Sequence, residues 1–406
     1  MINNIKETVL NNDAFFIYDE PKFIQNINNL KKAFNYYFDN LIIGYSYKTN
    51  YLPQICECAH KNDLYAEVVS DMELDFAYQN LNDKSNLIYN GPIKNENSLR
   101  KVVENNGIIN IDDEYDYQLL NSIPLKKNKP IKIFLRINID YKGQKSRFGM
   151  DLPSLKKIYN KILLNTKFNF LGLHVHLPFR SLESFRYRSI KIVSILEELN
   201  IKNIDFINVG GGFYGELTSK TSKLLNIDNP PLYKDYAKTI YSVFKKFTKK
   251  YNTKLPGIII EPGTSIIADS MKFVSKVKKI KKIKNHNIIV CLSAMHLLSP
   301  TNKKINLPVD LYDKNCKLKN NNDGYKYLVS GFTCIESDIL GEISVKTKID
   351  NSHFLVFNNV GSYSIVMGSN FILPQPAIFK FDGNSFINIS TKIDHFNFYN
   401  KFKLNK

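Results

Sequence analysis

The chain has 406 residues, more than one ordinary domain needs, and its 43% hydrophobic content is enough to bury a sizeable core. No apolar run approaches the roughly 20 residues that span a bilayer, and the polar stretch Met1–Asp13 lacks the apolar centre of a secretory signal, so a cytoplasmic protein without a membrane partner is expected. A net charge of +18 raises nucleic-acid binding. The basic residues are scattered, however, with dense stretches only at Lys245–Lys250 and Lys272–Lys284. They read as solvated faces with no nucleic-acid partner, whose positive field favours an anionic substrate or a cofactor phosphate.

Eight short apolar runs follow in chain order: Leu41–Lys48, Leu64–Val69, Leu87–Ile93, Ile108–Asp113, Ile131–Ile139, Phe170–Leu177, Asp205–Gly212 and Gly257–Gly263. Every gap between them is long enough for a helix. Strand alternating with helix predicts a parallel sheet, and eight such units are the number that closes a (β/α)8 barrel. Barrel enzymes gather their chemistry at the carboxyl ends of the strands. Here those ends carry Lys48, Glu67, Asn90, Asp112, Arg136, His176, Gly210–Gly212 and Glu261. Beyond residue 270 the pattern turns to β, with strands expected at Phe273–Ile280, Asn287–Ala294, Tyr327–Val329 and Phe354–Phe357, and a polar loop over Lys314–Asp323. The two domains expected are a barrel over 25–270 and a β domain made of 1–24 plus 271–406.

The strand ends define a chemistry. A lysine in a barrel mouth, as Lys48 is expected to be, is desolvated and able to lose its proton, which makes it a Schiff-base nucleophile. In Gly172-Leu173-His174-Val175-His176 the alternation turns both histidines to one side. A His-x-His pair also suits a metal, but no further histidine or cysteine lies near it in sequence, and an imidazole stacked on a ring is the better reading. Gly210, Gly211 and Gly212 leave successive N–H groups free to approach an anion, against the bland alternative of a tight turn. Glu261-Pro262-Gly263-Thr264 then sets a carboxylate and a close-approach glycine beside them. An amine, a phosphate cradle and a carboxylate match the aldehyde, phosphate and ring nitrogen of pyridoxal phosphate. The five cysteines have no metal or redox spacing and are expected to be reduced thiols.

From about Phe15 to Phe371 the sequence resembles the fold-type III pyridoxal-phosphate decarboxylases, the group of diaminopimelate, ornithine and arginine decarboxylases. Tyr45-Ser46-Tyr47-Lys48-Thr49-Asn50 resembles the cofactor-lysine motif, and Glu67-Val-Val-Ser70-x-x-Glu73 the second strand end. Gly172-Leu-His-x-His176 resembles the histidine segment, Gly210–Gly212 the phosphate loop and Glu261-Pro-Gly263 the ring-nitrogen carboxylate. Gly331-Phe-Thr-Cys334-Ile-Glu336-Ser-Asp338 resembles the Gly-x-x-Cys segment, and Gly361-Ser-Tyr363 the Gly-Ala-Tyr segment. The resemblance implies a β-sandwich after the barrel that takes up the N-terminal strand Phe15–Tyr18, and a homodimer with shared active sites. It further implies Lys48 as the Schiff-base lysine, His176 against the pyridine ring, Cys334 from the partner subunit as proton donor, Asp338 and Glu336 facing substrate, and Tyr363 on the cofactor.

The sequence departs from the pattern in four places. Phe179 stands where the family has a phosphate-binding serine, and Thr264 where it has an arginine, which shifts phosphate binding to backbone N–H groups, Thr264 and Arg180. Ile335 replaces the acidic residue that follows the cysteine in diaminopimelate and ornithine decarboxylases, and Ser299–Pro308 lacks the usual arginine for a substrate carboxylate. The reading is an α-decarboxylase of a diamino acid or derivative, on a divergent branch. A racemase on the same barrel and a catalytically silent regulatory homologue are the rivals.

Overall fold

The computed structural model describes residues 1–2, 5–125, 129–224, 226–298, 308–392, 394 and 399–400; most of Ser299–Pro308 lies outside these. After β1 (Ala14–Asp19) come eight strands: β2 (Leu41–Ser46), β3 (Tyr65–Val68), β4 (Leu87–Tyr89), β5 (Ile108–Ile111), β6 (Ile131–Arg136), β7 (Phe168–His174), β8 (Phe206–Asn208) and β9 (Gly257–Ile260). Each lies parallel to the next, and β2 closes the ring on β9 with Leu41 opposite Ile258. The expected (β/α)8 barrel is present. Its strands are β-branched and buried on both faces, as in Gly257-Ile-Ile-Ile260 and Ile108-Ile-Asn-Ile111, the pattern of a parallel sheet covered by helices. Ile88, Ile108, Phe134, Leu171 and Ile259 fill the barrel interior.

Every barrel strand stops short of the run read from the sequence, and capped loops follow several of them. After a strand ends, a side chain caps the next helix: Ser70, Asn95, Asp113, Asp151 and Ser181 accept from Glu73, Ser98, Asp116, Ser154 and Ser184 N–H at 2.9–3.2 Å. These caps satisfy helix donors that have no intrahelical partner. After β3 and β5 the cap, Ser70 or Asp113, lies two residues beyond the strand and fixes the backbone there.

One of these turns is tied by a buried ion pair. Lys94 Nζ lies 2.6 Å from Asp116 Oδ2 and donates to Gly91 O at 2.7 Å; both side chains are buried. Lys94→Met is expected to destabilise the protein by about 3–5 kcal/mol, because it strands a buried carboxylate. Urea unfolding checks this, and a midpoint equal to that of the wild type would contradict it.

The chain divides into a barrel unit, Asn26–Glu216 with Pro231–Ser265, and a second unit, Met1–Gln25 with Leu217–Pro230 and Ile266–Lys406. The second unit adds β10 (Met271–Ile283), β11 (His286–Cys291), β12 (Val309–Tyr312), β13 (Asn320–Ser330), β14 (Ile339–Val345), β15 (Phe354–Asn358), β16 (Ala377–Phe381) and β17 (Phe386–Ser390). They form a nine-stranded mixed sheet in the order β14-β13-β11-β10-β1-β16-β17, with β15 joining β10 to β12. The N-terminal strand is inside it: Phe16 pairs with Phe273 antiparallel and with Ile378 in parallel. Phe15, Ile17, Val274, Phe354, Val356 and Phe381 make its core.

The loop expected over Lys314–Asp323 is corrected, since β13 begins at Asn320. The Asn320 amide accepts from Leu311 N–H at 2.6 Å and donates to Val309 O at 3.0 Å, so a polar side chain anchors the strand. The two lysine-rich stretches have exposed faces. On the helix Tyr233–Tyr251, Lys245, Lys246, Lys249 and Lys250 point to solvent while Phe244 and Phe247 are buried. Strand β10 is buried over its first half and largely exposed beyond Val277.

Candidate active site

At the carboxyl end of the barrel a cavity of about 270 Å³ is lined by Lys48, Glu67, Asn90, Arg136, Arg147, Phe148, His174, His176 and Glu261, with Val69, Gly91 and Pro92. A larger groove of about 550 Å³, walled by Asn29, Tyr36, Tyr37 and Tyr233, shares no lining residue with it. The polar strand-end residues gather in the smaller one.

Lys48 sits in a 3-10 turn, Tyr47–Thr49, directly after β2. Tyr45 donates to Asn50 O at 2.7 Å and the Tyr47 hydroxyl meets His60 Nε2 at 2.6 Å; both tyrosines are buried. Fixing these neighbours leaves Lys48 in the cavity wall. Its Nζ lies 2.5 Å from Glu67 Oε2. Glu67 is fully buried and accepts from Ser46 Oγ at 2.5 Å and from Asn90 Nδ2 at 2.7 Å.

The electrostatics of Lys48 differ from the expectation. Burial alone pushes its amine down, but the Glu67 and Glu261 carboxylates outweigh it and hold the pKa above the ordinary lysine value. Nearby opposite charge wins over desolvation, and the resting amine is a cation.

Glu261 follows β9 and is buried. Asn90 Nδ2 and Asn208 Nδ2 both donate to its Oε1, at 3.0 and 2.7 Å. Its Oε2 has His174 Nε2 at 3.5 Å, and neither ring nitrogen of the buried His174 has a hydrogen-bond partner among the described residues. Burial pushes the Glu261 carboxyl up, yet His174, Lys48 and Asn90 together hold it well below the usual carboxylate range. It is ionised at neutral pH.

His174 ends β7 and His176 lies just beyond, and both line the cavity. Burial, then the Arg188 and Lys48 cations, push His176 well below the ordinary imidazole value, so its ring is neutral. Gly211 N–H donates to Nδ1 at 3.0 Å, which leaves the ring proton on Nε2.

The glycine run is sterically required. Gly210 and Gly212 have φ of +67° and +89°, a region side chains avoid. A Cβ at Gly211 would lie 2.3 Å from Glu261 O, and one at Gly210 2.7 Å from His176 Nδ1. Gly210 N–H donates to Asn208 Oδ1 at 2.9 Å, whereas Gly212 N–H has no hydrogen-bond partner among the described residues. At Gly263 a Cβ would meet Thr49 Oγ1, so the loop after β9 lies against the loop after β2; Thr264, half-buried, begins a short helix.

The remaining site candidates belong to the second unit. Cys334 through Ser337 are four consecutive exposed residues. The buried Asp338 braces them, accepting from Thr333 Oγ1 at 2.6 Å and Met295 N–H at 2.9 Å. Its carboxylate is therefore occupied within its own loop, while Glu336 has no partner among the described residues. Tyr363 is held at φ +65°, a strained value for a bulky residue. All five cysteines are free thiols, and Cys334 is the exposed one. Burial pushes Cys56 and Cys291 up to about 12, which keeps them protonated.

The donor set at the barrel mouth fits pyridoxal phosphate. An amine lines the cavity, an ionised carboxylate keeps Oε2 without a short hydrogen bond, a neutral imidazole lines the same cavity, and the glycine run keeps an N–H without a partner among the described residues. Arg147 and Phe148 had no signal in the strand-end reading; Asn90 stood in it without a role, and the structure gives it one, orienting Glu261 together with Asn208. Arg188 had a signal that was missed. It falls in register with Phe185, Ile192 and Leu196 on the buried stripe of the helix Leu182–Glu198, where a charge is anomalous.

This closed parallel barrel with an amine and a buried carboxylate at its mouth defines a cofactor-dependent barrel enzyme. Residues 22–268 match the family described as pyridoxal-dependent decarboxylase, pyridoxal binding domain, and the chain belongs to that family. It is a pyridoxal-phosphate-dependent amino-acid decarboxylase. The diaminopimelate decarboxylase of Aquifex aeolicus is 24% identical over 86% of this chain and 84% of its own length. That of Methanocaldococcus jannaschii is 25% identical over 88% and 83%. The crystal structure of the Methanocaldococcus jannaschii enzyme superposes with a TM-score of 0.84 at 22% identity, covering 96% of this chain and 92% of that one, and so shares the fold. Among the described residues, no helix is long and apolar enough to cross a membrane.

Proposed function

We propose that this chain removes the α-carboxylate of a diamino acid carrying a second carboxylate, with Lys48 bearing the cofactor covalently through Nζ. The observation that carries the reading is the mouth cluster itself: Lys48, His176 and Glu261 line one cavity beside the glycine run. The bound cofactor supplies a sink for the electron pair left on the α-carbon when carbon dioxide departs. Glu261 holds a proton at the ring nitrogen through Oε2, since its Oε1 is already engaged by Asn90 and Asn208. His176, neutral and fixed by Gly211, would lie against the ring without adding charge. Glu67 takes up the proton that Lys48 gives away.

Cys334 is the proton donor to the α-carbon in this reading, delivered from a second copy in a homodimer. Its exposure on a braced turn supports that: the loop Cys334–Ser337 projects while Asp338 anchors it. Glu336 is the carboxylate free to meet the distal amine, and Tyr363 contacts the cofactor. Thr264 and the free Gly212 N–H serve the phosphate.

The substrate class rests on two supports. The relatives named above are diaminopimelate decarboxylases, and Arg147, an exposed cation in the cavity wall with no ion-pair partner among the described residues, suits a second carboxylate. Carbon dioxide release from meso-diaminopimelate, lysine, ornithine and arginine tests this. The diacid is expected to lead by at least about 100-fold in kcat/KM, on the order of 3 kcal/mol of transition-state preference. Preference for a substrate with no second carboxylate overturns the substrate class, and α-proton exchange without carbon dioxide overturns the reaction.

A further inference from the structure

Arg188 is the largest fully buried side chain of the described residues. Its guanidinium lies over the Phe185 ring, 3.9 Å from the centroid. It donates from Nη1 to Val209 O at 3.0 Å and Gly211 O at 2.7 Å, and from Nη2 to Leu177 O at 2.8 Å and Phe179 O at 2.7 Å. Nε and Nη2 also reach Ser184 Oγ, at 3.4 and 3.3 Å. The four carbonyls come in pairs from the loops after β7 and β8, so one side chain clamps both.

These bonds satisfy the donors and leave the charge uncancelled. Among the described residues Arg188 forms no ion pair, whereas Lys94, also fully buried, has Asp116 at 2.6 Å. A buried cation without a counter-ion is costly and calls for an anion nearby. Burial pushes its pKa down to about 9, still above neutrality.

Peptide geometry shows where the anion belongs. In a planar trans peptide the carbonyl and the following N–H point in opposite directions. Holding Gly211 O and Phe179 O therefore turns Gly212 N–H and Arg180 N–H away from Arg188. Neither N–H has a hydrogen-bond partner among the described residues. Two loops thus present free donors with one buried cation behind them, and Phe179 and Thr264 bring no charge of their own.

We propose that Arg188 is a positioning residue for the cofactor phosphate, acting from behind the loops after β7 and β8 by aiming Gly212 and Arg180 N–H and balancing the dianion's charge. This rests on the proposed function only for the identity of the anion. The test compares pyridoxal phosphate with phosphate-free pyridoxal on cofactor-stripped full-length protein, reading the absorbance of the imine formed with Lys48. Arg188→Met, which keeps bulk and loses charge and donors, is expected to weaken pyridoxal phosphate by at least about tenfold and pyridoxal by less than about twofold. Arg188→Lys, which keeps charge, should recover part of the loss. Equal weakening of both ligands, or none for pyridoxal phosphate, overturns the proposal.

A second arm uses wild-type protein alone and covers a variant that fails to fold. Inorganic phosphate should slow hydrogen exchange at the Gly212 and Arg180 amides and compete with pyridoxal phosphate but not with pyridoxal. Amides that ignore phosphate overturn the proposal. Failure of the Lys48 assignment looks different: neither aldehyde gives an imine at Lys48, while the phosphate arm still decides whether the Gly212 and Arg180 amides that Arg188 aims hold phosphate.

Discussion

Lys48→Ala is expected to purify without covalently held cofactor and to turn over more than about 10³-fold slower than wild type, a loss of ~4 kcal/mol of transition-state stabilisation. The structure gives the reason. Lys48 is the amine that lines the barrel-mouth cavity, and the Tyr45 and Tyr47 anchors fix its turn. Borohydride reduction of native protein followed by peptide mapping should place the label on Lys48. A label elsewhere, or an alanine variant with wild-type turnover, would remove the assignment. The ion pair with Glu67 adds a pH signature. Because Glu67 and Glu261 raise the Lys48 pKa, the reactive neutral amine is scarce at neutral pH and grows about tenfold per pH unit below that pKa. Cofactor uptake by stripped protein should therefore quicken as pH rises through 7 to 9. Glu67→Gln, which removes the nearest carboxylate, should flatten and shift that dependence to lower pH.

How much of this was legible in the sequence depends on how local the cause is. The barrel strands announce themselves because a buried parallel strand needs nothing but apolar, β-branched residues in a row, as in Ile258-Ile-Ile260. Their ends do not, because where a cap follows closely, as after β3 and β5, the turn it fixes lies beyond the apolar run. Ser70 and Asp113, two residues past their strands, bond to N–H groups three residues downstream, and that spacing is visible in the sequence once it is sought. The polar start of β13 was hidden for a different reason: Asn320 belongs in a strand only because β12 presents Leu311 N–H and Val309 O to its side chain.

The site divides along the same line. Lys48, His176 and Glu261 sit where barrel geometry alone places strand ends, so position in the chain was enough to bring them to one cavity. Their charge states were not so accessible. Desolvation was the right local expectation for Lys48, and two carboxylates from distant strands reverse it. Arg188 shows the remaining case, a residue whose oddity was written in the helix periodicity but whose meaning needed four carbonyls from two loops. Sequence exposes the anomaly, and only the fold supplies its partner.

Glu261→Gln should cost about 10²–10⁴-fold in kcat with KM nearly unchanged, the pattern of a contact made in the transition state. The amide is nearly isosteric, so the effect follows from which way it must face. Asn90 Nδ2 and Asn208 Nδ2 both donate to Glu261 Oε1. In the variant the amide oxygen is the group that can accept from both, since its NH2 would meet two donors head-on. Its NH2 then takes the place of Oε2 and presents a hydrogen to the ring nitrogen, where the carboxylate presents a lone pair. A nitrogen that accepts from that amide cannot also carry a proton, and the ring loses its capacity to take up charge. The native carboxyl, held well below the usual range, is ionised throughout the working pH, so no acid limb of the pH–rate profile above pH 5 belongs to it. Steady-state kinetics and a cofactor titration read the outcome together. Cofactor affinity should fall far less than kcat, and a variant within about threefold of wild-type kcat would show that Glu261 serves the barrel and not the ring.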